Sequence, residues 1–330
     1  MICLVTGATG FVGSAVARKL IAAGHEVRVL VRAGSDRRNL AGLDAAPVVG
    51  SLDDHATLAP ALKGCEALFH VAADYRLWVP EPAQMYRTNV DGTVALMEAA
   101  LAAGVGRIVH TSSVATLGLL PGGADADEAT PVSLDQMVGP YKRSKYLSEA
   151  AVSKLVRERQ LPAVIVNPST PVGPRDVKPT PTGRTIVEAA TGRMPAFVDT
   201  GLNFAHVDDV ADGHLLAFDK GRIGERYILG GENLTLRAFL AIIAGLSGRK
   251  PPTVSLPIDL LMPLAYGAEL YARLSGKEPF VTRDGLTLAR KKMFFTIAKA
   301  RRELGYTPRP AEDGIRDAID WFRANNYLAR

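Results

Sequence analysis

Apolar and polar positions follow two different rhythms along this chain of 330 residues. In the first half, short runs that are apolar almost throughout stand between longer stretches with a three-to-four-residue period. The runs are "ICLVT" from Ile2, "VRVLV" from Val27, "APVV" from Ala46, "ALFHV" from Ala67, "RIVHTSS" from Arg107 and "AVIVNP" from Ala163. A strand with one wet face alternates, whereas a strand buried on both faces does not. The runs therefore predict strands of a parallel sheet covered by helices on both sides, the first helix beginning near Phe11. The expected fold class is α/β: a Rossmann-type doubly wound parallel sheet with a smaller C-terminal α/β substrate domain.

Past Pro168 the texture changes. Five prolines fall between Pro168 and Pro181, in "PSTPVGPRDVKPTP", and short strands then mix with helices. The division expected is residues 1–168 for the first domain and 169–330 for the second, with a segment at about 203–230 returning to the first. The Pro-rich stretch is long enough for a lid or a binding loop. The longest apolar stretch, residues 256–274, is interrupted by Asp259, Pro263 and Glu269, so it reads as an amphipathic helix, not a membrane span.

Composition narrows the classes further. With 47% hydrophobic and 22% charged residues the chain is an ordinary globular protein. Its net charge of +5 comes from scattered cations, and no basic stripe is interleaved with aromatics, so nucleic acid is excluded as a partner. Cys3 and Cys65 sit in apolar surroundings and form neither a disulfide framework nor a metal-ligand pattern. A strand-like run from Ile2 leaves no room for a secretory leader. A cytoplasmic location is expected, without a transmembrane segment and with peripheral membrane contact left open.

Candidate chemistry begins in "VTGATGFVGSAVARKL". Gly7, Gly10 and Gly13 stand between the first strand and the first helix, in the context that suits a pyrophosphate. The first allows the tight turn, the second lets the backbone approach the ligand and the third lets helix and strand pack closely. An NAD site of this kind carries an acid about 20 residues on, at the end of strand two. Val31 and Arg32 hold that place here. A guanidinium accepts no hydrogen bond but suits a 2′-phosphate, and Arg37 lies close in sequence, so NADP(H) is favoured over NAD(H).

"RIVHTSSVATLG" puts Ser113 at the C-terminal edge of the sheet, where doubly wound folds bind ligands. In "GPYKRSKYLSEA", Tyr141 and Lys145 are one helical turn apart on one face, while Tyr146 has only Ala150 at that spacing. Ser113 and Tyr141 can converge on one carbonyl. A nearby ammonium together with a positively charged oxidised nicotinamide stabilises a phenolate, which makes tyrosine a usable acid and base near neutrality, and Ser113 holds the substrate oxygen as charge develops on it.

Taken in that order, GATGFVG, TSS and YxxxK resemble the extended short-chain dehydrogenase/reductase family, which includes the NAD-dependent epimerases and dehydratases, and the resemblance covers the whole chain. It implies a catalytic serine, tyrosine and lysine at Ser113, Tyr141 and Lys145. It implies cofactor contacts from Gly7, Thr9, Gly10, Phe11, Val12 and Gly13, from Ala72 and Ala73 in "FHVAAD", and from Pro168 in "NPSTPVGP". Tyr141 and Lys145 belong to the same cofactor site. Where the family commonly has Gly-Asp-Leu against the adenine, this chain has Gly50, Ser51 and Leu52, so Ser51 and Leu52 take that place with Asp53 beside them. "NVDGT" matches a helix motif whose polar residue is Asn89. Within the family, "HVAADYRLW", "AHVDDVADGHLLA" and "GERYILGGENL" resemble the bacterial hopanoid-associated sugar epimerases, a branch similar to dihydroflavonol 4-reductases. Helices near 84–102 and 141–158 resemble those that pair in family dimers, which implies a homodimer.

Tyr75, Arg76 and Trp78 follow strand four and are candidate substrate contacts, as is Asn89. Arg175, Lys178 and Arg184 in the Pro-rich loop are candidates to clamp a substrate phosphate. No metal site is expected: His206, Asp208 and Asp209 lack a further ligand at metal spacing, and Asp208 or Asp209 is expected to cap the following helix. Four functional readings remain. One is NADP-dependent reduction of a carbonyl on a sugar-like or polycyclic, isoprenoid-linked small molecule. The second is redox-neutral epimerisation of a nucleotide sugar with retained NAD(P), the third is an NADP-sensing module without catalysis, and the fourth is a structural partner of a lipid-synthesis complex that docks through the helix at 256–274.

Overall fold

A computed structural model describes residues 1–76 and 78–329. Six strands of the first half form as their apolar runs require: β1 (Ile2–Thr6), β2 (Glu26–Val31), β3 (Ala45–Val49), β4 (Ala67–His70), β5 (Arg107–Thr111) and β6 (Ala163–Pro168). Between them run α1 (Phe11–Ala22), α2 (Leu58–Leu62), α3 (Pro82–Tyr86), α4 (Gly92–Ala102) and α5 (Gly139–Arg159). A π-helical turn, Arg87–Asp91, joins α3 to α4.

Further along lie β7 (Thr170–Val172), α6 (Pro181–Ala190), β8 (Ala196–Phe197), β9 (Gly201–His206), α7 (Val207–Lys220), β10 (Arg226–Leu229) and β11 (Glu232–Thr235). The chain closes with α8 (Leu236–Ser247), β12 (Val254–Ser255), α9 (Ile258–Ser275), α10 (Arg283–Ala289), α11 (Ala298–Leu304) and α12 (Ala311–Ala324).

The main sheet has seven parallel strands in the order β10-β6-β5-β4-β1-β2-β3. Successive side chains of a strand point to opposite faces. Val5, Phe69, Val109 and Val166 join one core cluster with Val16 and Leu20 of α1 and Val210 and Ala211 of α7. Leu4, Leu68, Ile108 and Ile165 join the other, with Leu62, Leu96, Met97 and Val152 of α2, α4 and α5. Both clusters are apolar, which is why the strands show no alternation in sequence. A third cluster unites Phe204, Phe239, Ile243, Ile315, Ile319 and Phe322 around the smaller sheet of β11, β9 and β7. Among the described residues no helix is long and apolar enough to cross a membrane.

Strand order reverses between β1 and β4, because β1 pairs with β2 on one side and with β4 on the other. Open α/β sheets bind ligands outside the carboxyl ends of the strands at such a point.

Candidate active site

The ends of β1 and β4 are tied by the Thr6 hydroxyl. Its oxygen accepts from Val71 N and Ala72 N, both at 3.1 Å, which leaves its proton for His70 Nδ1 at 2.8 Å. His70 then carries its own proton on Nε2 and donates to Thr93 Oγ1 at 2.9 Å, and Thr93 donates to the Asn89 carbonyl at 2.8 Å. Burial, with the Lys145 charge adding to it, pushes His70 down to about 3 and keeps the ring neutral.

Gly7 opens the loop at φ +74°, and a Cβ there would lie 2.7 Å from Ala72 N. A Cβ at Gly13 would lie 2.2 Å from Gly7 O, so α1 packs onto the turn only with glycine at that position. At Gly10 only Gly7 O, at 3.2 Å, stands near the place of a Cβ, and the space beyond is open. α1 has no side-chain cap and no acid in its first turn, and Ser14 N bonds back to Gly10 O. Among the described residues nothing accepts from the amides of Phe11, Val12 and Gly13. Bare amides at the positive end of a helix dipole, with open space in front, fit the pyrophosphate of a dinucleotide. Thr9 is braced from behind: Asn39 Nδ2 donates to its carbonyl at 3.2 Å, and Arg18 donates to Asn39 O at 3.1 Å.

Arg32 directly follows β2, and Arg37 follows it in the same loop. Both are exposed, and neither has an ion-pair partner among the described residues, while Arg38 is held by Asp36 at 2.6 Å. Ser51 Oγ accepts from Asp53 N at 3.2 Å, and Leu52 is buried against Gly92. Asp53 accepts from Thr88 Oγ1 at 2.7 Å. Ala72 and Ala73 are half-buried after β4, and Pro168 ends β6 opposite Leu229.

Ser113 follows β5, and its Oγ accepts from Ala115 N at 3.1 Å, so the hydroxyl proton remains available for another oxygen. Tyr141 lies in the first turn of α5, with its phenol beside the Ser113 hydroxyl. Burial pushes this phenol up, the Ser113 hydroxyl pulls it down, and Tyr75 nearby pushes it up again. Lys145 is buried one turn further on and donates to Thr111 O at 2.8 Å, which leaves two of its protons for other acceptors. Burial lowers it to about 8, with Glu149 acting in the opposite sense. At the phenol, desolvation outweighs the neighbours, and the Lys145 ammonium is turned onto a main-chain carbonyl of β5.

Behind this trio lies a buried polar network that the motifs did not reveal. Asn167 Nδ2 donates to Ser113 O at 3.0 Å and to Glu149 Oε2 at 2.8 Å. Thr116 Oγ1 lies 2.8 Å from both Ser113 O and Glu149 Oε2, and Arg226 Nη1 reaches Glu149 Oε1 at 3.0 Å. A signal did exist in sequence, since Glu149 follows Lys145 by four residues on α5 and a carboxylate on a buried face needs partners.

The expectation for Asn89 is corrected. It is 2% exposed and is no substrate contact: its Nδ2 donates to Asp74 O at 2.8 Å and Ser144 Oγ at 3.0 Å, and its Oδ1 accepts from Asp74 N at 2.7 Å. Ser144 in turn donates to Tyr141 O at 2.9 Å, so Asn89 ties the loop after β4 to the helix carrying Tyr141. Asn89→Ala leaves these buried groups unpaired and is expected to cost about 2–3 kcal/mol in a denaturant melt. A loss below about 0.5 kcal/mol would show that the strut is dispensable.

Tyr75 and Arg76 are exposed and Trp78 is half-buried; the Arg76 guanidinium is taken by Asp74, at 2.5 Å. The proposed clamp is not assembled as expected. Arg175 is ion-paired with Asp208, Arg184 lies 3.4 Å from Glu278, and Lys178 has no carboxylate partner among the described residues. The α7 cap is likewise different: His206 Nδ1 accepts from Asp208 N at 3.0 Å, while Asp209 accepts from Arg309. A histidine whose Nε2 faces Asp317 at 3.0 Å can present Nδ1 as an acceptor, a role that cap statistics do not anticipate. Among the described residues no cluster could hold a metal ion.

One buried acid of the Pro-rich loop was missed. Asp176 is 3% exposed and accepts from Thr180 N at 2.9 Å and Thr180 Oγ1 at 2.9 Å, fixing the start of α6. Burial raises it to about 6, with the Thr180 bonds and Arg184 opposing. A raised carboxyl means that the folded chain holds a proton the unfolded chain has lost, so stability falls as pH climbs from about 4 to 6. Asp176→Asn is expected to flatten melting temperature across that interval; an unchanged slope would assign the titration elsewhere.

The matching family model is that of the NAD dependent epimerase/dehydratase family, over residues 3–230, and the chain belongs to it. It is an NAD(P)-dependent oxidoreductase or epimerase of the extended short-chain dehydrogenase/reductase class. A putative dihydroflavonol 4-reductase of Synechocystis is 42% identical over 98% of this chain and 95% of its own. Sterol demethylase protein B of Methylococcus capsulatus is 37% identical over 99% of this chain and 100% of its own. Among solved structures, gox2253 is 58% identical, with a TM-score of 0.90 over 99% of both chains.

Proposed function

We propose that this protein reduces a carbonyl group with NADPH, using Tyr141 as proton donor, Ser113 as the hydrogen-bond donor to the reacting oxygen and Lys145 as the cation that orders the site. The observation that carries this reading is the Tyr141 phenol set beside Ser113, one helical turn from a buried Lys145. A bound nicotinamide dinucleotide supplies the hydride. Ser113 holds the carbonyl oxygen, because its own acceptor role is met by Ala115 N. The Tyr141 hydroxyl gives its proton to the same oxygen, and a phenol held up by burial is in its protonated form at neutral pH, ready to do so. Lys145, with two free protons, offers a fixed cation beside the pair.

The NADP preference rests on Arg32 and Arg37, exposed after β2 and without an ion-pair partner among the described residues. The substrate class rests on the printed names of the relatives, a dihydroflavonol reductase and a sterol demethylase component, which favour a polycyclic or isoprenoid-linked ketone over a nucleotide sugar. Hopanoid biosynthesis, a cytoplasmic setting and a homodimer through α4 and α5 belong to the same reading. The occupied Arg175 and Arg184 support it, since a phosphate clamp is not standing ready. A thermal-shift screen with NADPH present, setting flavonoid-like and isoprenoid ketones against nucleotide sugars, is the test. Stabilisation by the ketones is expected, and stabilisation by nucleotide sugars alone would return the protein to the epimerases.

A further inference from the structure

α9 is apolar on both of its faces. Its inner face packs through Ala265, Ala268 and Ala272, which are buried, and is pinned by Glu269, which accepts from Arg283 N and Nε at 2.7 Å each. Its outer face has Leu260 at 73% exposure, Leu270 at 62%, Tyr271 at 62% and Leu274 at 81%, and Phe280 at 78% continues the surface in the loop that follows. A helix apolar all round is normally buried, and a contiguous exposed apolar surface marks an interaction site. With Pro263, Asp259 and Arg273 in its 18 residues, α9 does not cross a bilayer.

Charge decides what covers it. Between Arg249 and Lys291 the chain carries seven cations and four acids. Asp259 is paired with Arg290 at 2.5 Å, Glu269 with Arg283 at 2.7 Å and Glu278 with Arg184 at 3.4 Å, while Asp284 faces Gly139. Arg249, Lys250, Arg273, Lys277 and Lys291 are exposed and have no carboxylate partner among the described residues. Of these, Arg273 lies on α9 and Lys277 in the loop after it, so a two-fold contact between copies of this face would bring four unpaired cations together, which opposes a dimer there. Leucines and aromatics rimmed by unpaired lysine and arginine are the signature of a helix that lies in an anionic lipid surface.

We propose that the outer face of α9 and the loop after it seat this protein on an anionic membrane surface. The placement serves the site. α10, packed on α9, sets Asp284 against Gly139 two residues before Tyr141, and Glu278 in the loop meets Arg184 on α6. The lipid-facing helix is therefore linked, through α10 and the loop, to the first turn of the catalytic helix, which sets a source of apolar substrate beside the site.

The test uses the full chain and needs no substrate, so its outcome is separate from that of the proposed reduction. Flotation with phosphatidylcholine vesicles containing about 30 mol% phosphatidylglycerol is compared with flotation on phosphatidylcholine alone. Binding to the anionic vesicles is expected to be at least about tenfold stronger and to weaken with salt. The triple variant Leu260→Glu, Leu270→Glu, Leu274→Glu should keep its melting temperature and lose binding, and Arg273→Glu with Lys277→Glu should lose most of it. Equal recovery on both vesicles, binding retained by the triple variant, or a solution dimer that the triple variant splits would each overturn the proposal, the last by giving the face to a second copy.

Discussion

Replacing Tyr141 with phenylalanine is expected to lower kcat by about 10² or more while leaving cofactor affinity nearly unchanged. The ring stays, so the packing of α5 is preserved; only the hydroxyl that lies beside Ser113 and carries the proton is removed. An effect confined to KM would mean that the hydroxyl binds substrate without moving a proton, and unaltered turnover would remove Tyr141 from the chemistry altogether. Ser113→Ala should act on the same step, and the double variant should fall little further than Tyr141→Phe alone, because the two hydroxyls serve one oxygen.

The second large effect is on cofactor choice. Arg32→Ala should weaken NADPH about 10- to 100-fold, the range of a charge-assisted hydrogen bond, and leave NADH within about twofold. Arg32 is exposed and makes no ion pair among the described residues, and the Asp74 carboxylate that feels its charge is already held by Arg76, so a binding loss can be assigned to the ligand. Calorimetry in which wild-type protein holds NADH more tightly than NADPH would refute the preference. A loss of both cofactors in the variant would instead assign Arg32 to the common part of the dinucleotide.

The large elements were legible because each had a local cause. Near-continuous apolar runs predict strands covered on both sides, and β1 to β6 form where those runs lie. The glycine spacing predicts a tight turn and close packing, and Gly7 and Gly13 show both. What was not legible depends on pairs distant in sequence. Thr6 meets His70, Asn89 meets Asp74 and Ser144, and Asn167 meets Ser113 and Glu149, none of which a spacing rule connects. Asn89 was read as a substrate contact because a polar residue inside a motif looks functional, whereas its three bonds satisfy buried backbone and a buried serine. Arg175 and Arg184 were read as a clamp because loop cations look free, and the chain supplies each with a carboxylate. The stretch 256–274 reads as an amphipathic helix, whereas the fold turns its small alanines inward and its leucines outward, so both faces are apolar.

Stoichiometry tests the central claim, net reduction at the Ser113–Tyr141–Lys145 site, most directly. Wild-type protein is mixed with NADPH and a ketone that stabilised it in the thermal screen, and the loss of nicotinamide absorbance is followed beside the appearance of product. The account predicts one NADPH oxidised for each alcohol formed, with no turnover in Tyr141→Phe. Catalytic interconversion of two isomers with no net change in the bound cofactor would contradict it and identify an epimerase.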